Sequence, residues 1–224
     1  MLDDGSMDPD DLVGAERQVW DAFSRRVTVD LSESSDRKVR SDVLRALLLG
    51  AQPPAAGHLA ALILVGAEVT GTLDLSYSAV AFPVRMTQCV FEHPIALVGT
   101  KVSVLNLTGS SVPGVHAPYA TVAGNLELDA MAINGQVDLR GTRINGILNL
   151  NGTTIIADGQ SLLGRRLQVE HDITARALRT AGGSVHIGQQ GGRLPVSGRR
   201  RPRINTWSLA YGAWRHHRSA HELF

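Results

Sequence analysis

Cysteine occurs once in the 224 residues, at Cys89, which excludes a disulfide framework and a multi-cysteine zinc site. Aromatic residues make up 4%, too few for a core built around large rings. Charged residues make up 19%, against about 25% in an average globular chain. Lysine is confined to Lys38 and Lys101, so arginine carries nearly all the positive charge, a bias typical of GC-rich genes. No apolar run reaches the roughly 18 residues that a transmembrane helix needs. Residues 1–11 are acidic and lack a signal-peptide pattern, so cytoplasmic residence is expected, with peripheral membrane association as its variant. Apolar residues nevertheless make up 43%, enough to bury a sizeable core.

The formal net charge of +1 conceals an asymmetry. Residues 1–192 carry a net of −5, and residues 193–224 carry +6 from seven arginines and Glu222. Three regions follow: a helical N-terminal cap over 1–57, repeats over 58–188 and a basic, flexible tail over 189–224. In the first region Asp8-Pro9 suits a helix start, and Leu12, Val19, Trp20, Ala22 and Phe23 recur at helical spacing. A short extended piece is expected over 27–31. A second helix is expected over 36–49, striped by Val39, Val43, Leu44, Leu47 and Leu48 and capped by Gly50.

From Ala60 the pattern changes. Residues 124–156 read GNLELDAMAIN, GQVDLRGTRIN and GILNLNGTTII, three units of 11 residues. Counting the first position of a unit as zero, apolar residues fall at plus two, plus four and plus nine. They are Leu126, Leu128 and Ile133; Val137, Leu139 and Ile144; Leu148, Leu150 and Ile155. The frame extends back through units at Ala60, Gly71, Phe82, His93, Ser103 and Pro113, nine units in all. Period-two alternation places two side chains on one face of a short strand, and such strands bury that face only by stacking. Self-similarity at a fixed period therefore predicts a mainly β fold, a right-handed parallel β-solenoid of about 22 residues per coil. Glycine at the unit starts Gly71, Gly124, Gly135 and Gly146 is expected at corners with positive φ, with Asn134 and Asn145 adopting the same conformation. An insertion over 157–160 precedes weaker units with Leu162, Gly164 and Val169, then Ile173 and Ala175, then Val185 and Ile187.

The quartets Leu73-Asp74-Leu75-Ser76, Leu105-Asn106-Leu107-Thr108, Val137-Asp138-Leu139-Arg140 and Leu148-Asn149-Leu150-Asn151 resemble the Asp/Asn-Leu core of pentapeptide-repeat proteins, which are right-handed quadrilateral β-helices. More closely, the chain to about residue 188 is similar to an actinobacterial group that pairs ERxVWxAF and VLRALLLGA segments with GxLDL repeats. Here these are Glu16-Arg17-Gln18-Val19-Trp20-Asp21-Ala22-Phe23 and Val43-Leu44-Arg45-Ala46-Leu47-Leu48-Leu49-Gly50-Ala51. Members bear the name membrane-associated oxidoreductase, so the resemblance implies redox activity at a membrane. Members also continue with further repeats, where this chain turns arginine-rich after Gln189. A frameshift or a truncation in a GC-rich gene is the expected origin of the tail from about Gln190. The downstream DNA, read in its other frames, is then expected to encode further GxLxL units, and their absence there disproves the shift.

The residues themselves show no dinucleotide loop, phosphate loop, nucleophile elbow or CxxC pair, so no cofactor is expected. Cys89 lies beside the inward positions Met86 and Phe91 and reads as a buried structural thiol. The plus-three positions face outward and form two ladders: Arg85, Asn106, Glu127, Asn149, and Asp74, Ala96, His116, Asp138. His116 beside Asp138 is the one arrangement suited to acid–base catalysis, although a solvated or partner-facing surface accounts for it as well. On that basis Asp138→Ala should leave folding intact. His216, His217 and His221 have helical spacing that suits a metal. Arg199, Arg200, Arg201 and Arg203 suit contact with nucleic acid or anionic lipid. Residues 206–224, with Trp207, Leu209, Tyr211 and Trp214, suit a short helix over the open end of the stack. The expected function is a non-catalytic scaffold that binds a protein partner. An oxidoreductase, as the resemblance implies, and a binder or mimic of nucleic acid are the alternatives.

Overall fold

An 11-residue unit with three inward side chains is too short to close on itself, so the geometry depends on how units combine. In a computed structural model that describes residues 11–188 and the backbone of residues 204 and 205, two units make one coil. Parallel strands about 22 residues apart stack into a β-solenoid of about six turns. Each coil has four sides. The first stacks Leu62, Val84, Leu105, Leu126, Leu148 and Ile173 in register. The second stacks Val69 on Phe91, and Val112, Ile133 and Ile155 on one another. The third stacks Ile95, Val115, Val137 and Leu162. The fourth stacks Val80, Val102, Val122, Ile144 and Val169. A four-sided cross-section is what the pentapeptide-repeat resemblance implies.

The inward positions are dry. Leu128, Val137, Leu139, Leu148, Leu150 and Ile155 are 0% exposed and join one continuous apolar cluster. Burial fades toward the last coil, where Val185 is half-buried and Ile187 is 42% exposed. On its third side the last coil has no following rung among the described residues to cover it, so the alternation there does not guarantee burial.

Two helices close the other end. The first, α1 (Gly14–Phe23), buries Ala15, Val19, Trp20 and Phe23. The Ala15 N–H donates to Asp36 Oδ2 at 3.0 Å, supplying one of the helix-start partners that an α-helix lacks. The strand β1 (Val29–Asp30) lies within the expected extended piece and pairs with Leu64–Val65 on the first side. The expected second helix is shorter than its apolar stripe. Lys38–Arg40 forms strand β2, paired with Glu68–Thr70, before α2 (Ser41–Leu48) begins. Pairing with an open sheet edge overrides the local helical pattern there. Gly50 follows α2 at φ 95°, as a C-terminal cap requires.

The glycine at the unit start has a different role from the expected one. Gly71 has φ 74°, but Gly124, Gly135, Gly146, Asn134 and Asn145 do not adopt positive φ. At Gly135 an added Cβ would lie 1.9 Å from the Pro113 carbonyl oxygen of the preceding coil. Glycine is needed there for space between backbones. Positive φ falls instead at plus six, at Tyr77, Gln88, Gly99, Gly109, Tyr119, Ala130, Gly141 and Gly152. Asn134 and Asn145 continue the ladders, their N–H groups donating to Val112 and Val122 carbonyls at 3.0 and 2.9 Å.

Two polar columns run inside opposite corners at plus seven, one through Thr100 and Thr142 and the other through Ser110 and Thr153. Thr100 Oγ1 donates to the Leu75 carbonyl at 2.7 Å, Ser110 Oγ to Met86 at 3.0 Å and Thr142 Oγ1 to Ala117 at 2.5 Å, with Thr153 bonding Leu128 in the same way. Cys89 occupies the column of Ser110 and Thr153, with Sγ 3.3 Å from the Thr87 carbonyl and 3.9 Å from that of Leu64. Burial pushes its thiol up to about 11. At pH 8 Cys89 is therefore a neutral thiol, and a soluble disulfide reagent should label it only as the protein unfolds. Rapid labelling of the native chain would contradict this placement. Cys89→Ser should melt within about 1 kcal/mol of the parent, because a hydroxyl takes the bond its neighbours make.

The insertion over 157–160 opens one corner. Thr154–Arg165 runs as a single twelve-residue strand along the second and third sides, beside Arg179–Gly188, with register shifts near Ile156 and Gln160. Within 189–224, Ile204–Asn205 adds a rung to the first side on Ile173–Thr174. The other expectations for that stretch, including the helix over 206–224, lie outside the described residues.

Candidate functional site

The outward surface of the third side is built by the plus-three residues. Its ladder holds Asp74, Ala96, His116, Asp138, Leu163 and His186, one per coil, in parallel register. The structure thus brings His116 and Asp138 onto adjacent rungs, yet the two make no hydrogen bond or ion pair with each other. The His116 ring leans toward Gly114, where an added Cβ would lie 3.4 Å from Nε2. The Asp138 carboxylate is taken from the other side by Arg140. Nε donates to Oδ1 at 2.9 Å, Nη2 to Oδ2 at 2.6 Å, and the Arg140 backbone N–H to Oδ1 at 3.1 Å.

This clasp corrects the outward assignment of Asp138, which is only 3% exposed. Asn106, on the first side, is likewise buried, with Glu127 bonded to its amide. A plus-three side chain points away from the core, but a long neighbour one rung or two residues on folds over it. Burial by itself raises the Asp138 pKa. The Arg140 guanidinium and N–H, with His116 nearby, outweigh that and hold the carboxyl below its ordinary value.

Asp138→Ala is therefore expected to cost about 1–3 kcal/mol at neutral pH, since hydrogen bonds to a charged group are lost. The group is depressed in the folded state, so its contribution is fully present above the unfolded carboxyl pKa near ~4 and is lost as pH falls through the folded value. The stability gap between parent and variant should close in acid, as measured by urea unfolding at pH 7 and below pH 4. A gap that persists unchanged at low pH would rule out the ion pair as its source.

At the C-terminal end of the third side lies an open groove of about 480 Å³. It is lined by Arg140, Gln160, Leu163, Arg165, Val185, His186 and Ile187. Ser184 Oγ and His186 Nε2 lie 2.8 Å apart beside it. The Arg165 guanidinium has no hydrogen bond or ion pair among the described residues. No family model, curated protein or solved structure matches this chain. The functional reading therefore rests on this surface.

The corner between the third and fourth sides adds residues that the sequence analysis passed over. Tyr77 and Tyr119 stand there 83% and 69% exposed, in one column with Gly99, Gly141 and Arg166. The 11-residue frame contains them at plus six, a position whose residue types (Tyr, Gln, Gly, Ala) share no pattern that marks exposure. Among the described residues, no three His, Cys, Asp or Glu side chains gather to hold a metal ion. His216, His217 and His221, like Arg199, Arg200, Arg201 and Arg203, lie outside the described residues.

Proposed function

We propose that this chain is a non-catalytic β-solenoid scaffold whose third and fourth sides form a partner-binding surface. The observation that carries the reading is that Tyr77, Lys101, Arg165 and Arg166 project there without a hydrogen-bonded or ionic side-chain partner among the described residues, with Tyr119 69% exposed beside Arg140. The groups best suited to chemistry are committed elsewhere. Asp138 is clasped by Arg140, and Cys89 is a neutral buried thiol, unlike a redox-active thiolate. Stacked coils hold the exposed groups at fixed intervals, which lowers the ordering cost of binding.

Membership of the actinobacterial group stays part of this reading, supported by the segments at 16–23 and 43–51. Cytoplasmic residence with peripheral membrane association is its expected setting. No helix among the described residues is long and apolar enough to cross a membrane.

A photo-cross-linking residue placed at Tyr119, and separately at Ser111 on the second side, tests the surface in native lysate. Adducts at 119 that disappear with Arg165→Glu, and none at 111, support the scaffold. Equal adducts at both positions remove it. Sustained oxidation of a reduced nicotinamide by the purified chain, with flavin added and a quinone as the acceptor reduced to quinol, would move it to the oxidoreductase reading.

A further inference from the structure

We propose that the corner between the third and fourth sides is a track for single-stranded nucleic acid, with Tyr77 and Tyr119 as stacking platforms and Arg165, Arg166, Lys101 and Arg143 as phosphate contacts. The proposal rests on the scaffold reading and names the partner of the same surface.

The turns at this corner are locked to one another. Tyr77 N–H donates to Val98 O at 2.7 Å, Gly99 to Pro118 at 2.9 Å, Tyr119 to Arg140 at 2.8 Å and Gly141 to Arg165 at 2.8 Å. The column therefore repeats at the coil spacing, and the two rings stand two coils apart, about 9.6 Å. Each ring reaches over the glycine of the next coil. A Cβ added at Gly99 would lie 3.1 Å from Tyr77 Cδ1, and one at Gly141 would lie 2.7 Å from Tyr119 Cδ1. Glycine makes room for the ring, and the ring remains largely open to solvent.

Both tyrosines have φ near 60° (59° and 60°), a conformation that side chains other than Gly, Asn and Asp adopt at an energetic cost. Gly99 and Gly141 occupy the same position in alternate coils, so the fold itself accepts glycine there. A strained tyrosine where glycine suffices, exposed to solvent, points to a use for the ring outside the fold.

The corner is basic. Among the described residues it and the fourth side carry Lys101, Arg143, Arg165 and Arg166, together with Arg140, which is paired with Asp138 of the third side, and Glu170 is the one carboxylate. The first two sides and the corner between them mix both signs, with Glu68, Glu92, Glu127 and Asp129 beside Arg85, Arg176 and Arg179. Guanidinium groups match phosphate oxygens, and aromatic faces between cations suit unpaired bases of any sequence. Among the described residues no helix or ribbon projects from this corner to enter a duplex groove, which favours a single strand.

The full-length chain is titrated against a fluorescent 20-nucleotide oligo-dT, its duplex, heparin and anionic vesicles, at several salt concentrations. A parallel background replaces Arg199, Arg200, Arg201 and Arg203 with Gln, so that tail binding is separated from corner binding. Tyr77→Gly with Tyr119→Gly removes both rings and relieves both backbones, so thermal unfolding should show an intact fold. These variants should weaken oligo-dT binding at least tenfold while leaving the salt slope unchanged. Arg165→Gln with Arg166→Gln should reduce that slope by about 1.4.

Absence of oligo-dT binding overturns the proposal, as does binding insensitive to the tyrosine substitutions. Equal preference for heparin, or vesicle binding with the same tyrosine dependence, overturns it too and assigns the surface to another polyanion or to lipid. If oligo-dT fails while protein adducts persist at position 119, the scaffold reading stands and the nucleic-acid track falls. If both fail, both fall.

Discussion

Leu139→Asp should unfold the central coils. Leu139 is 0% exposed, and its N–H donates to the Leu163 carbonyl of the next coil at 2.7 Å, so the side chain cannot swing outward without breaking the rung. A carboxylate there enters the continuous apolar cluster to which Leu128 and Leu150 also belong. Loss of a buried leucine costs about 2–5 kcal/mol, and an unpaired buried charge adds several more. That rivals the whole stability of a domain, roughly 5–15 kcal/mol. Each coil touches mainly its neighbours, so the damage should be regional. Hydrogen exchange should show lost protection around 126–165, with α1 and the first coils less affected. Ala132→Asp, on an exposed outward position, is the control and should stay within about 0.5 kcal/mol of the parent. If the two variants melt alike, the inside–outside assignment is wrong.

Gly135→Ala should be the most damaging single-methyl change. Its φ is not in the left-handed region, so alanine suffers no intrinsic conformational penalty. The added Cβ instead falls 1.9 Å from Pro113 O and 3.1 Å from Pro113 C. Both are backbone atoms of the preceding coil, which cannot rotate aside, so the coils must separate locally. Overpacking of this kind costs about 1–3 kcal/mol, and the rigid obstacle places this case at or above the upper end. Gly152→Ala makes the contrast. Gly152 has φ 68°, and its added Cβ meets nothing closer than Ala130 Cα at 3.8 Å. That change should cost about 1 kcal/mol from backbone strain alone. Urea midpoints of the two variants decide the matter, and equal shifts would mean that the two glycine roles are not distinct.

The parts of the fold legible in the sequence are those written as short-range periodicity. Leu126, Leu128 and Ile133 announce their burial through spacings of two and five residues, and the same spacings recur in every unit. The ladder Asp74, Ala96, His116, Asp138 followed from the apolar frame, including the two units that advance by 10 residues instead of 11. The cap was legible as apolar stripes, but not the capture of Lys38–Arg40 by the sheet edge. Nothing local shows that an open strand lies beside that segment.

At the candidate site less was legible. His116 and Asp138 are neighbours as their spacing implies, but Arg140 takes the carboxylate and His116 leans away. Tyr77 and Tyr119 were visible as residues, and their exposure and shared column emerged only when the coils were stacked.

Periodicity by itself determined that this chain is a parallel solenoid and which aliphatic residues line its interior, because strand alternation converts residue number directly into inside or outside. Tertiary structure alone decided which glycines need freedom and which need space, that Asp138 is covered, and that one corner opens into a long strand. Those outcomes depend on contacts between residues about 22 positions apart, whose closeness is set by the stacking of whole coils and by how long side chains fold over their neighbours.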